Sequence, residues 1–389
     1  MQIKLIQWDI FCSVVDNFGD IGICWRLSRQ LVAEYDIQLR LWVDDLTSFK
    51  KICPQVNPTL DKQIINNVVI CLWSKQIDWQ QVAIADVVIE ALACTIPECY
   101  QQRMAEQATQ PLWLNLEYLS AESWVESCHG LASPQPQLKL NKYFYFPGFT
   151  AATGGLLQEQ DLVVQRKKFL SDQQAKCNFW QQLQLVEPEQ YHCKISLFGY
   201  DHSQIAELLK CWQQSAQPIL CIIPEGTLAK QVLRLLPSYN RLANTAVLSK
   251  VGHLTIKIIP FMSQQDYDRL LWLCDINFVR GEDSIIRAHW ALNPFIWQLY
   301  RQQEQSHLIK LQAFLQLYTA SMPAKMQSAV QNFYLAWNSQ QPLVKVWHDF
   351  IEVMPELSDF NQKWQQQLTL NGDLARNLVH FVENKFIIT

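Results

Sequence analysis

The chain has 389 residues, 49% of them hydrophobic and 17% charged, with a formal net charge of -4. That apolar content can fill sizeable cores and excludes a disordered chain or a fibre, and the length is that of two domains or three. The missing basic excess argues against duplex DNA or RNA as a partner.

At the start of the chain, Met1–Trp8 holds a single lysine and Asp9 interrupts the apolar run, so no secretory segment is expected. Nowhere do eighteen apolar residues run together, so no spanning helix and no membrane partner are expected. Apolar runs predict strands over Ile3–Cys12, Ile37–Val43, Asn67–Trp73, Asp86–Ala91, Leu112–Glu117 and Tyr143–Pro147. A second series covers His192–Phe198, Pro218–Ile223, Leu254–Ile259, Ile276–Val279 and Pro294–Trp297. Helical periodicity marks Ile21–Glu34, Ser203–Gln214, Gly226–Leu236, Gln264–Cys274 and Ser284–Leu292. Strands alternating with helices, and apolar throughout, predict parallel sheets covered on both faces, hence an α/β fold. The series breaks over residues 148–190, which are Gly-rich and then Gln-rich, and this stretch reads as the join between two domains. After Gln305 the pattern is helical, and a last helix near Leu374–Asn384 can cross back onto the first domain. The expected division is 1–155, with 372–389 packing back on it, and 156–371.

Twelve cysteines are scattered, mostly within apolar runs, without a CxxC pair, and the eight histidines form no HxxH or HxxxH pair. They read as buried thiols of a reducing cytosol, and no metal site is expected.

Two loops carry candidate chemistry. Between the first strand and first helix lies Asp16-Asn17-Phe18-Gly19-Asp20-Ile21-Gly22, at the carboxyl end of a strand, where α/β folds place ligands. Gly19 and Gly22 supply the GxxG part alone of a dinucleotide fingerprint, and they read as residues that let the chain turn tightly near a ligand. Asp20 reads either as a helix cap or as a carboxylate handling an acceptor nucleophile. The second loop is Arg280-Gly281-Glu282-Asp283-Ser284, between a strand and a helix. A helix start offers N–H groups and a positive dipole end to a diphosphate, with Arg280 and Ser284 in support. Glu282 and Asp283 read as helix caps or as acceptors for sugar or ribose hydroxyls. Phe198-Gly199-Tyr200 ends a strand and offers aromatic faces, against the alternative of core packing for Phe198. Gln264 opens a helix from which it can read a base edge. Asp44-Asp45 reads as a turn.

In order, WDIFC, VVDNFGDIGICWRLSRQL, DVVIEALAC, LNLEYLSAESWVESCHGL, YFPGFTAATGGLL, SLFGY and QDYDRLLWLCDINFVRGEDSIIRAHWALNPFIWQLY resemble the arginine rhamnosyltransferases that modify bacterial elongation factor P. The resemblance covers residues 8 to 315. It implies a GT-B glycosyltransferase: two Rossmann-like domains facing a cleft, with C-terminal helices, the first holding the acceptor protein and the second the nucleotide sugar. The implied reaction moves L-rhamnose from dTDP-β-L-rhamnose, with inversion and without a metal or other cofactor, to an arginine of elongation factor P. Such a modification would activate that factor, in the cytoplasm, for rescue of polyproline-stalled ribosomes. By the same resemblance, Asp20 is the general base, Asp16 its companion and Glu282 the essential glutamate. Donor contacts fall on Phe198, Tyr200, Gln264, Arg280, Asp283 and Ser284, and Asn17, Phe18, Gly19 and Gly22 line the first loop near donor or acceptor. Residues 297–302 read WQLYRQ where the family pattern is WHIYPQ, so Gln298 and Arg301 depart from it. The alternatives are another GT-B sugar-nucleotide transferase and a non-catalytic binding protein for elongation factor P.

Overall fold

The computed structural model describes residues 6–15, 18–185, 188–236, 240–241, 247–302 and 305–388. The chain forms two compact units: Met1–Gln160 with Gln367–Thr389, and Asp161–Gln366.

The first unit runs β1 (Gln7–Cys12), α1 (Gly19–Tyr35), β2 (Gln38–Val43), α2 (Leu46–Ile52), β3 (Lys62–Ile65), β4 (Val68–Leu72), β5 (Val87–Ala91), α3 (Glu98–Ala105), β6 (Leu112–Leu116), α4 (Trp124–Cys128), β7 (Ala132–Gln135) and β8 (Leu140–Tyr145). Among the described residues its sheet has the order β3-β4-β2-β1-β5-β6-β8-β7. All pairs are parallel except β3 with β4 and β7 with β8. Removing those two antiparallel edge strands leaves third-second-first-fourth-fifth-sixth, the Rossmann order.

The second unit opens with α5 (Leu162–Ser171) and α6 (Gln173–Gln182), so the stretch read as a join holds two helices. It continues with β9 (Cys193–Leu197), α7 (Ile205–Gln213), β10 (Ile219–Pro224), α8 (Thr227–Leu235), β11 (Asn240–Arg241), β12 (Val247–Val251), β13 (Leu254–Ile259), α9 (Gln264–Leu273), β14 (Ile276–Arg280), α10 (Asp283–Ala291), β15 (Phe295–Gln298), α11 (Ser306–Tyr318) and α12 (Ala324–Ser339). Its sheet runs β11-β12-β13-β10-β9-β14-β15, and the parallel part again has the order third-second-first-fourth-fifth. Helix α13 (Val344–Leu370) carries the chain into α14 (Leu374–Ile388), which packs against α1. Two Rossmann-like α/β units in one chain are the composition of the GT-B class.

The sheets form where they do because their parallel strands are buried from both sides. Every residue of β5, β10, β13 and β15 is buried, and in β1 all but Gln7. The core of the first unit contains a polar pin. Asp9, fully buried on β1, accepts from Arg40 Nε at 2.6 Å, Arg40 Nη2 at 2.7 Å and the Tyr100 hydroxyl at 2.6 Å. Burial raises its pKa, and the Arg40 guanidinium opposes that rise.

Candidate functional site

In an open parallel sheet, ligands sit where the strand order reverses, at the carboxyl ends of the two strands flanking that point. In the first unit those strands are β1 and β5, and in the second β9 and β14.

At the end of β1, Asp20 lies in the first turn of α1 and is only 2% exposed. Phe18, not Asp20, takes the N-cap position, and its side chain makes no capping bond. The Asp20 carboxylate instead reaches back into the loop, where Oδ2 accepts the Val15 N–H at 3.0 Å. The capping reading of Asp20 is thereby replaced by a loop contact. Gly19 and Gly22 both lie inside α1, Gly19 as its first residue, and neither has a left-handed backbone. Asp16 and Asn17 lie outside the described residues.

Asp44 and Asp45 do more than turn the chain. Asp45 caps α2, accepting from Thr47 N at 2.9 Å and Ser48 N at 3.0 Å. Asp44 accepts from Ser13 Oγ at 2.5 Å and Val14 N at 2.8 Å. At the end of β5 two non-glycine residues, Leu92 (φ 56°) and Ala93 (φ 62°), adopt the left-handed region. Such backbone is uncommon and persists where neighbours hold it. Here Leu92 N donates to Leu116 O at 2.8 Å, and the Tyr118 hydroxyl donates to Leu92 O at 3.0 Å. The sequence pattern contains no signal for this corner, because neither residue is glycine or asparagine. Glu117, at the end of β6, accepts from Asn115 Nδ2 at 2.5 Å, and partial burial raises its carboxyl above the usual range.

In the second unit the residues expected at the donor converge. Arg280 ends β14 with its guanidinium carbon 4.4 Å from the Phe198 ring centre and 4.7 Å from that of Tyr200. Stacking of this kind contributes roughly 0.5–2 kcal/mol and holds the fork in place. Phe198 also meets Tyr267 edge-on at 5.7 Å and Phe261 at 6.2 Å. Burial raises the Tyr267 phenol. Gly281 has φ 63°, and its carbonyl accepts the Trp297 indole N–H at 2.8 Å. Ser284 Oγ accepts the Arg280 N–H at 3.0 Å and donates to the Arg280 carbonyl, closing the loop on itself.

Glu282 is the N-cap residue of α10 and makes no side-chain capping bond. Its carboxylate accepts from Lys310 Nζ at 3.2 Å. Asp283 accepts from Gln264 Nε2 at 3.1 Å. Glu282 is therefore no side-chain cap, and both carboxylates lie at the positive end of the helix dipole, which favours them. The first N–H groups of a helix fall outside its own ladder, which suits an anion.

Gln298 was legible only as a departure from pattern, yet it belongs to this constellation. It is buried at the end of β15, in register with Arg280, and its Oε1 accepts the Tyr200 N–H at 2.8 Å. A Cβ on Gly199 would come within 2.6 Å of that oxygen, so glycine is needed for the carboxamide to reach the backbone. Its position beside β14 was the available clue.

Among the described residues, no group of three or more His, Cys, Asp or Glu side chains could hold a metal ion. No helix among them is long and apolar enough to cross a membrane.

The family model for the elongation-factor P (EF-P) rhamnosyltransferase EarP matches residues 8–383. A protein-arginine rhamnosyltransferase of Pseudomonas aeruginosa is 44% identical over 379 residues, 97% of this chain and 99% of the relative. A protein of the same description from Shewanella oneidensis is 42% identical over 387 residues, covering 97% and 98%. A solved structure on the basis for EarP-mediated arginine glycosylation of translation elongation factor EF-P superposes with a TM-score of 0.67 at 29% identity, over 97% of this chain and 99% of the other.

Proposed function

The chain belongs to the EarP family and is a protein-arginine rhamnosyltransferase, and from that premise we propose that it transfers L-rhamnose from dTDP-β-L-rhamnose to an arginine of elongation factor P. The observation that carries the donor assignment is the contact of the Arg280 guanidinium with the rings of Phe198 and Tyr200, at the loop leading into α10. A cation, a helix N-terminus and aromatic faces together suit a diphosphate joined to a base.

We assign the acceptor chemistry to the first unit. The attacking atom is a guanidinium nitrogen, protonated in free arginine and so a poor nucleophile. Asp20 orients the guanidinium through its carboxylate and accepts the proton lost as the new bond forms. The nitrogen bonds to the anomeric carbon, the carbon–oxygen bond to the diphosphate breaks, and dTDP leaves with the electron pair. Attack opposite the leaving group inverts the anomeric centre. Arg280 and the first turn of α10 stabilise the charge that grows on the diphosphate. Gln264 and Asp283, bonded to each other, are placed for the nucleoside, and Glu282 for the sugar hydroxyls. Asp16 is the companion carboxylate by resemblance alone. All twelve cysteines are free thiols, eight of them buried, which agrees with a reducing cytoplasm as its location.

The test separates donor from acceptor roles. Asp20→Asn is expected to abolish transfer while leaving the donor dissociation constant, measured by calorimetry, near wild type. Phe198→Ala is expected to weaken donor binding by about 1–3 kcal/mol, the worth of one stacked base. Loss of donor binding in Asp20→Asn would count against this division of labour.

A further inference from the structure

The two adjacent aspartates after β2 face different tasks. Asp45 is the cap of α2, and its Oδ2 also accepts from Ser48 Oγ at 2.5 Å. Asp44 belongs to a different element. The β1–β2 register pairs Cys12 with Val43, which brings Ser13 beside Asp44 at the carboxyl ends of both strands. Asp44 takes one bond from the Ser13 hydroxyl and one from the Val14 N–H. The next amide along, that of Val15, donates to Asp20. Three consecutive residues after β1 are therefore held by two carboxylates, and the last of these bonds falls on the side chain read as the base.

Apolar packing at Val15 supplies none of this restraint, while Ser13 and Val14 are half-buried. The Val15 side chain is 77% exposed, and Asp44 itself is exposed. Polar contacts hold Ser13, Val14 and Val15 in place. We propose that Asp44 is a positioning residue for the transfer reaction: by fixing Ser13 and Val14 it delivers the Val15 N–H to Asp20 and so sets the direction in which that carboxylate points. This inference rests on the reading of Asp20 as the base.

A residue of this kind has a recognisable signature. Hydrogen bonds at an exposed site add little to stability. A displacement of about 1 Å in a reacting group costs on the order of 100-fold in rate. Loss of Asp44 should therefore appear in kcat and hardly at all in the melting temperature.

The experiment compares Asp44→Ala, Asp44→Asn, Asp45→Ala and Asp20→Asn in the full chain, with elongation factor P and dTDP-β-L-rhamnose as substrates. It also records donor affinity by calorimetry and thermal melting. Asp44→Ala is expected to lower kcat about 10- to 100-fold. Donor affinity should not change, and the melting temperature should stay within about 3 °C of wild type. Asp44→Asn keeps an acceptor for the Val14 N–H and should recover part of the loss. Asp45→Ala should melt earlier with kcat unchanged, because it removes only a helix cap. A wild-type kcat in Asp44→Ala, with Asp20→Asn inactive, would overturn the positioning role and leave the base assignment standing. A kcat loss accompanied by a large fall in melting temperature, without recovery in Asp44→Asn, would reduce Asp44 to a structural residue. An active Asp20→Asn would overturn the base assignment, and the positioning role with it.

Discussion

His289 lies on the buried face of α10, where its Nδ1 accepts the Trp364 indole N–H at 3.2 Å. Full burial lowers its pKa from 6.5 to about 3, because the imidazolium cannot be solvated there. In the unfolded chain the same ring takes up a proton near its ordinary pKa. The stability that follows from this difference is complete above pH 6.5 and is lost as the pH falls toward about 3. For one such group the loss is about 1.4 kcal/mol per pH unit inside that window. The urea midpoint should accordingly drop between pH 6.5 and pH 4.5, and His289→Gln should flatten that dependence. Gln298 is a second residue whose effect is local. Gln298→Leu removes the acceptor of the half-buried Tyr200 N–H, a loss worth about 1 kcal/mol. Donor affinity, read by calorimetry, should fall with it. Of the site residues, Arg280 and Ser284 were legible because a strand, a charged turn and a helix followed one another in sequence. Gln298 was not, since a glutamine ending a strand gives no local sign that it reaches a backbone two strands away.

Helices α9 and α10 are joined by two rungs of equal spacing. Gln264 meets Asp283, and one turn further along Asp268 meets Arg287 through bonds of 2.9 and 2.8 Å. The second rung is buried, with side-chain exposures of 2% and 7%. Asp268→Ala removes the bidentate acceptor of a buried guanidinium and should destabilise the second unit by about 3–5 kcal/mol. Urea unfolding measures this, and pairing the change with Arg287→Met should restore much of the loss. Such rungs explain how the loop at the start of α10 is carried on a rigid pair of helices. They also mark what a linear pattern hides, since both partners lie in separate helices nineteen residues apart. The parallel strands were legible because strands covered on both faces are largely apolar, as ILCIIP in β10 shows without interruption and LTIKII in β13 shows around Thr255 and Lys257. The antiparallel strands β3, β7, β11 and β12 were missed. Lys62–Ile65 alternates exposure and Ala132–Gln135 is nowhere buried, so neither forms an apolar run. Helices α5 and α6 were hidden by glutamines on a largely exposed surface.

Across the whole chain, the segment from Gln367 returns to the unit that the first 160 residues build. Its entry is held by close backbone contact: Leu374 N donates to Leu156 O at 3.0 Å, and Gln30 Nε2 donates to Asp373 Oδ1 at 3.0 Å. A Cβ on Gly155, whose φ is 78°, would lie 2.4 Å from the Gly372 carbonyl oxygen. Gly155→Ala should therefore destabilise by more than about 1 kcal/mol, combining a left-handed backbone with a clash. Faster hydrogen exchange in α14 would show it. At this scale the sequence carried the α/β class through its alternation of elements and the family through the order of its motifs. The identity of the sugar and of the acceptor follows from no spacing or periodicity in the chain, and these are the claims that chemistry must test. The most direct test is the intact mass of elongation factor P after incubation with this protein and dTDP-β-L-rhamnose. One added deoxyhexose, absent when the target arginine is replaced by lysine and absent with Asp20→Asn, is the expected result. An unchanged mass with donor binding intact would contradict the assigned acceptor.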